Sequence, residues 1–216
     1  MRSKFDQELE RLNEELIDMG NLIESRIEAA VSALVNQDVE LATRVANGDK
    51  EVNDKERDIE DLCLKLILQQ QPVARDLRLI SSALKMITDM ERIGDQAADI
   101  SELTIRMANE KYFKELIDIP QMAEATIYMV RESINAFVNR DVDKAVEIIY
   151  YDDKVDKLFD MVKNELIEYI RDQKYSSEQS VDFILIAKYF ERIGDHAQNI
   201  AEWVYYAITG EHFSWS

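Results

Sequence analysis

The chain carries the same ten-residue motif twice. Glu91-Arg92-Ile93-Gly94-Asp95-Gln96-Ala97-Ala98-Asp99-Ile100 returns as Glu191-Arg192-Ile193-Gly194-Asp195-His196-Ala197-Gln198-Asn199-Ile200, and Glu102 is matched by Glu202. In 216 residues, a self-repeat this long points to duplication of a whole structural unit. The fold is thereby constrained to two versions of one design. Each version keeps an acid pair, Glu91 with Asp95 or Glu191 with Asp195, and a glycine inside an otherwise helical pattern.

Around the motifs, apolar residues step by three or four. Phe5, Leu9, Leu12, Leu16, Met19, Ile23, Ile27, Ala30 and Leu34 form one stripe of a long amphipathic helix, with Ser3 as its N-cap. Asn36-Gln37-Asp38 reads as a turn, and Asp38 caps a second helix that runs to about Gln70. Gln71-Pro72 stops it, because proline has no amide hydrogen and biases its predecessor away from helix. A third helix over 74–108 carries the first motif, and residues 109–118 connect the halves. Pro120 suits the first turn of a fourth helix over 120–138. Asn139-Arg140-Asp141 mirrors Asn36-Gln37-Asp38 at an offset of 103 and opens a fifth helix over 142–171. Ser176 and Gln179 fit a capping box for a sixth helix over 177–209. The motifs themselves match at an offset of 100, so the first half is three residues longer, near Pro72. No segment alternates with period two, and five Gly and two Pro leave little turn chemistry. The expected fold is all-α: two tandem three-helix bundles, at 1–108 and 119–216, with short turns making neighbours antiparallel.

Charge narrows the function. Forty-four acidic residues against 26 Lys and Arg give a net charge of -18. That argues against sequence-independent nucleic-acid binding, which needs clustered cations, and disfavours an anionic membrane surface. Basic protein surfaces and metal cations are the partners such a chain attracts. No apolar run reaches the length of a membrane span, and Met-Arg-Ser-Lys-Phe-Asp-Gln-Glu at the start has no apolar signal region. A soluble cytoplasmic protein without membrane insertion is expected. Cys63, the only cysteine, sits between Leu62 and Leu64 and reads as a buried, inert thiol.

Positions i and i+4 share one helix face. Glu91, Asp95, Asp99 and Glu102 therefore make an acidic ridge, and Glu191, Asp195, Asn199 and Glu202 make its copy. The second helix of each half adds a pair at the same spacing, Asp49 with Asn53 and Asp152 with Asp156. Such faces turned together repel, and they call for protons, Lys or Arg partners, or a cation. Hard oxygen ligands from facing bundle helices suit Mg, Ca, Mn, Fe or Zn, with selectivity set by geometry. A solvated acidic face is the bland alternative. Gly94 and Gly194 argue against it, since each costs about 1 kcal/mol relative to Ala within a helix; close approach of another helix or of a ligand would explain both. Arg92 and Arg192 point about 100° away from these acids and suit ion pairs to other helices. His196 adjoins Asp195 and faces elsewhere, so it is not a natural ligand. Trp203, Tyr205 and Tyr206 read as core or bundle-edge aromatics. No Glu-x-x-His, Gly-rich phosphate loop or nucleophile elbow occurs, which argues against an enzyme.

The chain resembles the PhoU family of bacterial and archaeal phosphate-uptake regulators. The resemblance runs through Gln71-Pro72-Val73-Ala74-Arg75-Asp76-Leu77-Arg78, both Glu-Arg-Ile-Gly-Asp motifs, Asp152-Asp153-Lys154-Val155-Asp156 and Asn199-Ile200-Ala201-Glu202. It implies two similar three-helix bundles, commonly in a homodimer. It also implies a negative regulator of phosphate-starvation signalling that contacts the Pst transporter ATPase and a PhoR-type sensor histidine kinase. Some members bind multinuclear metal through motifs that map onto Glu91 and Asp95 and onto Glu191 and Asp195, faced by Asp49/Asn53 and Asp152/Asp156. Asn53 replaces an acid and makes the first site one charge poorer. The rival readings are a metal-dependent carboxylate enzyme acting on phosphate and a metal-buffering helical bundle.

Overall fold

The computed structural model describes residues 2–70, 72–113, 116–172 and 177–215. It is all-helical, with no strand among the described residues. Helix α1 spans Arg2–Asn36, α2 Val39–Ala46, α3 Asp49–Gln70, α4 Ala74–Met107, α5 Asp118–Asn139, α6 Val142–Arg171 and α7 Ser177–Thr209.

The two repeated corners are built as their sequences require. Asp38 accepts from the Leu41 amide at 2.9 Å, and Asp141 accepts from the Lys144 amide at 2.9 Å. Just before them, Gln37 and Arg140 both take positive φ, at 51° and 57°. Ser3 lies inside α1 rather than capping it, and Ser176 lies outside the described residues. Gln179 binds the connection between halves instead: its amide oxygen accepts from the Phe113 N–H at 3.0 Å.

The expected second helix is two helices. Asn47-Gly48 interrupts it, and α3 starts afresh at Asp49. Arg26 of α1, 8% exposed, drives its guanidinium into this gap and donates to the Val45 carbonyl at 2.9 Å. In an unbroken helix that carbonyl would bond four residues on. A Cβ at position 48 would collide with the Arg26 guanidinium, so glycine is what admits it. The second half has Tyr150-Tyr151 at the corresponding places, and α6 runs on without a break.

The motif helices α4 and α7 lie antiparallel at the centre, with Arg106 paired to Asp182 and Lys85 over the Trp203 ring. Helices α1, α2 and α3 pack on α4, and α5 and α6 pack on α7. Helix α1 also meets α5, where Gly20 lets Ile134 approach to 2.5 Å from the place a Cβ would take. The α1 stripe from Leu12 to Leu34 is at most 1% exposed, and it belongs to one apolar cluster that includes residues of both halves. At roughly 25 cal/mol per Å² of apolar surface, this shared core is the main force holding the halves together.

Candidate functional site

In the second half, α6 and α7 approach so closely that a Cβ on Gly194 would stand 2.8 Å from Asp152 Oδ1 and 3.2 Å from Val155 Cγ1. In the first half, a Cβ on Gly94 would stand 3.1 Å from Val52 Cγ1. Both motif glycines therefore serve helix contact. Replacing Gly194 by valine is expected to displace Asp152 and to cost about 1–3 kcal/mol in urea melts, the usual penalty of overpacking. An unchanged midpoint would refute this account of the glycine.

The contact buries charge. Asp152 is 6% exposed, and its Oδ1 has no hydrogen-bond partner. Burial, then the charges of Asp156, Asp195, Glu191 and Asp153, push its carboxyl up to about 7. Asp156 is raised by burial, then by Glu191, Asp153 and Asp160, with Lys188 opposing. Asp195 is raised by burial and by Glu191, with Lys188 opposing. Glu191 accepts from Lys188 through one oxygen, while its Oε2 is buried without a partner. Lys188 thus answers Glu191, Asp156 and Asp195, while the charges that act most on Asp152 are all carboxylates.

The first half is less acidic. Asn53 stands where the second half has Asp156, and the Asp49 side chain lies outside the described residues. Glu56 of α3, which the spacing argument did not single out, is raised by burial and by Glu60, and it also feels Asp95 and Arg92. It sits one helical turn beyond Asn53, which was the available signal. Arg92 lies 3.7 Å from its neighbour Glu91, and across helices it opposes the rise at Glu56 of α3. Arg192 of α7 acts across to α4, where it opposes the rise at Asp99.

The ridges divide along their length. Asp99 is raised by burial, then by Glu102 and Asp95, while Arg192 of α7 opposes. Asn199 donates to Asp89 of α4 at 3.3 Å, and His196 Nδ1 meets the same oxygen at 2.9 Å. Asp99 and Asn199 therefore serve the seam between α4 and α7, whereas Glu191 and Asp195 face α6. Glu202 is raised by burial, with His212 opposing. A groove of about 630 Å³ lies elsewhere, between the end of α4 and the start of α7, where Arg106 and Asp182 neutralise each other.

The donor set at α6 and α7 fits a hard cation: all oxygen, mutually repelling, with two buried oxygens unpartnered. Among the described residues, no three His, Cys, Asp or Glu side chains already form a coordination shell. A cation would have to draw these carboxylates inward.

The sequence model of the PhoU domain matches residues 16–104 and 119–204, one match per repeat. The phosphate-specific transport system accessory protein PhoU homolog of Clostridium acetobutylicum is 37% identical over 211 residues, covering 97% of this chain and 96% of that protein. The accessory protein PhoU of Escherichia coli K12 is 34% identical over 210 residues, covering 97% and 87%. The crystal structure of PhoU from Pseudomonas aeruginosa superposes with a TM-score of 0.90 at 34% identity, covering 96% of this chain and 100% of that one. The phosphate transport system regulatory protein PhoU from Streptococcus pneumoniae also gives 0.90, at 27% identity, covering 98% and 100%. With full-length similarity, two matched domains and a shared fold, the chain belongs to the PhoU family, a family of accessory and regulatory proteins rather than enzymes.

Proposed function

We propose that this protein is a cytoplasmic negative regulator of phosphate uptake and phosphate-starvation signalling. It acts by contact with the Pst transporter ATPase and a PhoR-type sensor histidine kinase, as a homodimer built from repeats at 1–108 and 119–216. The observation that carries the regulatory reading is full-length similarity to phosphate transport accessory proteins; among the described residues, no helix is long and apolar enough to cross a membrane. The excess of acids suits a basic partner surface and speeds encounter through electrostatic steering. Binding to the transporter ATPase, measured by surface plasmon resonance, is expected to weaken as salt rises, because exposed charges are screened. Salt-independent binding would remove the acidic face as the contact.

The same reading gives the acids a divalent or trivalent ion (Mg, Mn, Fe or Zn), held by Asp152, Asp156, Glu191 and Asp195. A second, poorer site would use Glu91, Asp95, Asp49 and Asn53. Its support is the unpartnered Asp152 Oδ1 and Glu191 Oε2 within a four-carboxylate face. Bound there, the ion would supply positive charge that lets α6 and α7 stay close. Replacing Glu191 and Asp195 together by Gln and Asn keeps their shape and removes two charges. The variant is expected to lose bound metal in elemental analysis, while its metal-free melting temperature holds or rises. A parent protein that takes up no metal and melts identically in chelator would overturn this part.

A further inference from the structure

The repeats can be aligned residue by residue on their own helix contacts. Val52 lies against Gly94 as Val155 lies against Gly194, so α3 and α6 correspond at an offset of 103, and α4 and α7 at an offset of 100. In that register, Lys188, Phe159 and Lys163 of the second half stand where the first half has Thr88, Glu56 and Glu60. The second half thus places cations and a ring where the first has a hydroxyl and two acids.

Contacts bring these side chains to the acidic face. Gly194 meets Asp152 and Val155, and further back along α7 the Lys188 ammonium lies 5.4 Å from the Phe159 ring centroid. From Gly194 back to Lys188, α7 therefore runs alongside α6 from Asp152 to Phe159, and Glu191 and Asp156 lie within that stretch. The same ammonium donates to Glu191 Oε1 and opposes the rise at Asp156 and Asp195. Lys163 lies 5.1 Å from the same ring centroid and pairs with Asp160.

Lys188 thus supplies, from the chain itself, the positive charge that these carboxylates require. An ammonium and a metal ion on one Glu191 carboxylate would repel each other. The Lys188 side chain is 46% exposed and that of Glu191 is 13% exposed, so the ammonium can leave while the carboxylate stays in place. The Phe159 ring, already beside it, attracts a cation through its face.

We propose that Lys188 is a built-in counter-ion of the α6–α7 face, holding Glu191 while no metal is bound and turning to the Phe159 ring when a divalent cation takes its place. This rests on the metal reading of that face. Thr88 offers no such charge, so the gate belongs to the second half. A counter-ion that leaves on binding has its own signature. Removing it weakens the metal-free protein and leaves the metal-bound protein unchanged, so the lost stability returns as tighter binding.

Lys188→Thr, which installs the first half's residue, tests this in the full-length protein, stripped of metal and then titrated calorimetrically with manganese(II). Without metal it is expected to melt about 3 °C below the parent. With saturating manganese(II) the two are expected to melt together. The site that Glu191→Gln with Asp195→Asn removes is expected to bind about fivefold tighter in Lys188→Thr. Lys188→Arg keeps the charge and is expected to stay near the parent in both measurements. Equal melting without metal would overturn the proposal. So would a melting difference that persists under manganese(II) with affinity unchanged, which would make Lys188 an ordinary ion pair and leave the metal reading in place. Absence of manganese uptake by parent and variant alike would overturn the proposal together with that reading.

Discussion

Metal-free protein with Asp152 replaced by asparagine is expected to outlast the parent above neutral pH. The Asp152 carboxyl is pushed from 3.8 to about 7, first by burial and then by Asp156, Asp195, Glu191 and Asp153. Between those values, the native state holds a proton that the unfolded chain has released. Stability therefore falls as pH rises through this window, and it levels off above the folded value. Three units at about 1.4 kcal/mol each set an upper bound near 4 kcal/mol, and relaxation around the carboxylate leaves about 2–4 kcal/mol. Asparagine never ionises, so its urea midpoint should lose most of this slope. The two proteins should converge in acid and diverge at about pH 8. Asparagine can also donate to the neighbouring carboxylates, which the ionised parent cannot do. Added metal should reverse the order, because the parent keeps a ligand that the variant lacks. A parent whose metal-free stability rises from about pH 5 to about pH 8, in step with the variant, would show that Asp152 is not held in this way.

The parts of the fold set by repeating chemistry were legible in the sequence. The α1 stripe, the Asp38 and Asp141 caps, and the glycines at the α3–α4 and α6–α7 contacts all follow from spacing and residue type. What escaped depends on partners distant in sequence. Asn47-Gly48 reads locally as a tolerable flaw in a helix; the break is fixed only when Arg26 arrives from α1 to take the Val45 carbonyl. At the candidate site, spacing placed Asp152, Asp156, Glu191 and Asp195 on facing helices, and Gly194 lets α7 approach Asp152 of α6. Spacing alone did not separate Asp195, which faces α6, from Asn199, which turns to Asp89 of α4. A face one helix turn long can serve two neighbours, and only packing decides which. Lys188 and Glu56 were missed because the spacing argument followed acids four apart, whereas Lys188 precedes Glu191 by three residues on α7 and Glu56 follows Asn53 by three on α3.

Phe183→Ala is expected to cost about 3–5 kcal/mol, the usual penalty of removing a fully buried aromatic ring. Phe183 is 0% exposed in the first turns of α7. Its ring meets Tyr112 edge-on at 5.1 Å and Phe113 at 5.9 Å, so it anchors the segment that joins the repeats. Gln179 holds the Phe113 N–H one turn earlier, and that hydrogen bond alone is worth only about 1 kcal/mol. Without the ring, the connection should detach before the bundles unfold, because Tyr112 and Phe113 both lose the aromatic partner on which they pack. Two measurements follow that a uniform loss of stability would not produce. Burial holds the Tyr112 phenol up at about 12, and its hydroxyl is buried without a partner. In the variant, one tyrosine should titrate closer to the ordinary value in ultraviolet difference spectra. Limited proteolysis should also cut first within residues 109–117, under conditions where the far-ultraviolet helix signal is intact. Phe183→Leu keeps most of the volume, should cost less than about 1.5 kcal/mol, and should leave both readouts near the parent. If the alanine variant is cut no faster at the connection, and its tyrosines titrate as before, then Phe183 contributes to the core of α7 alone and the repeats are joined by the α4–α7 seam without it.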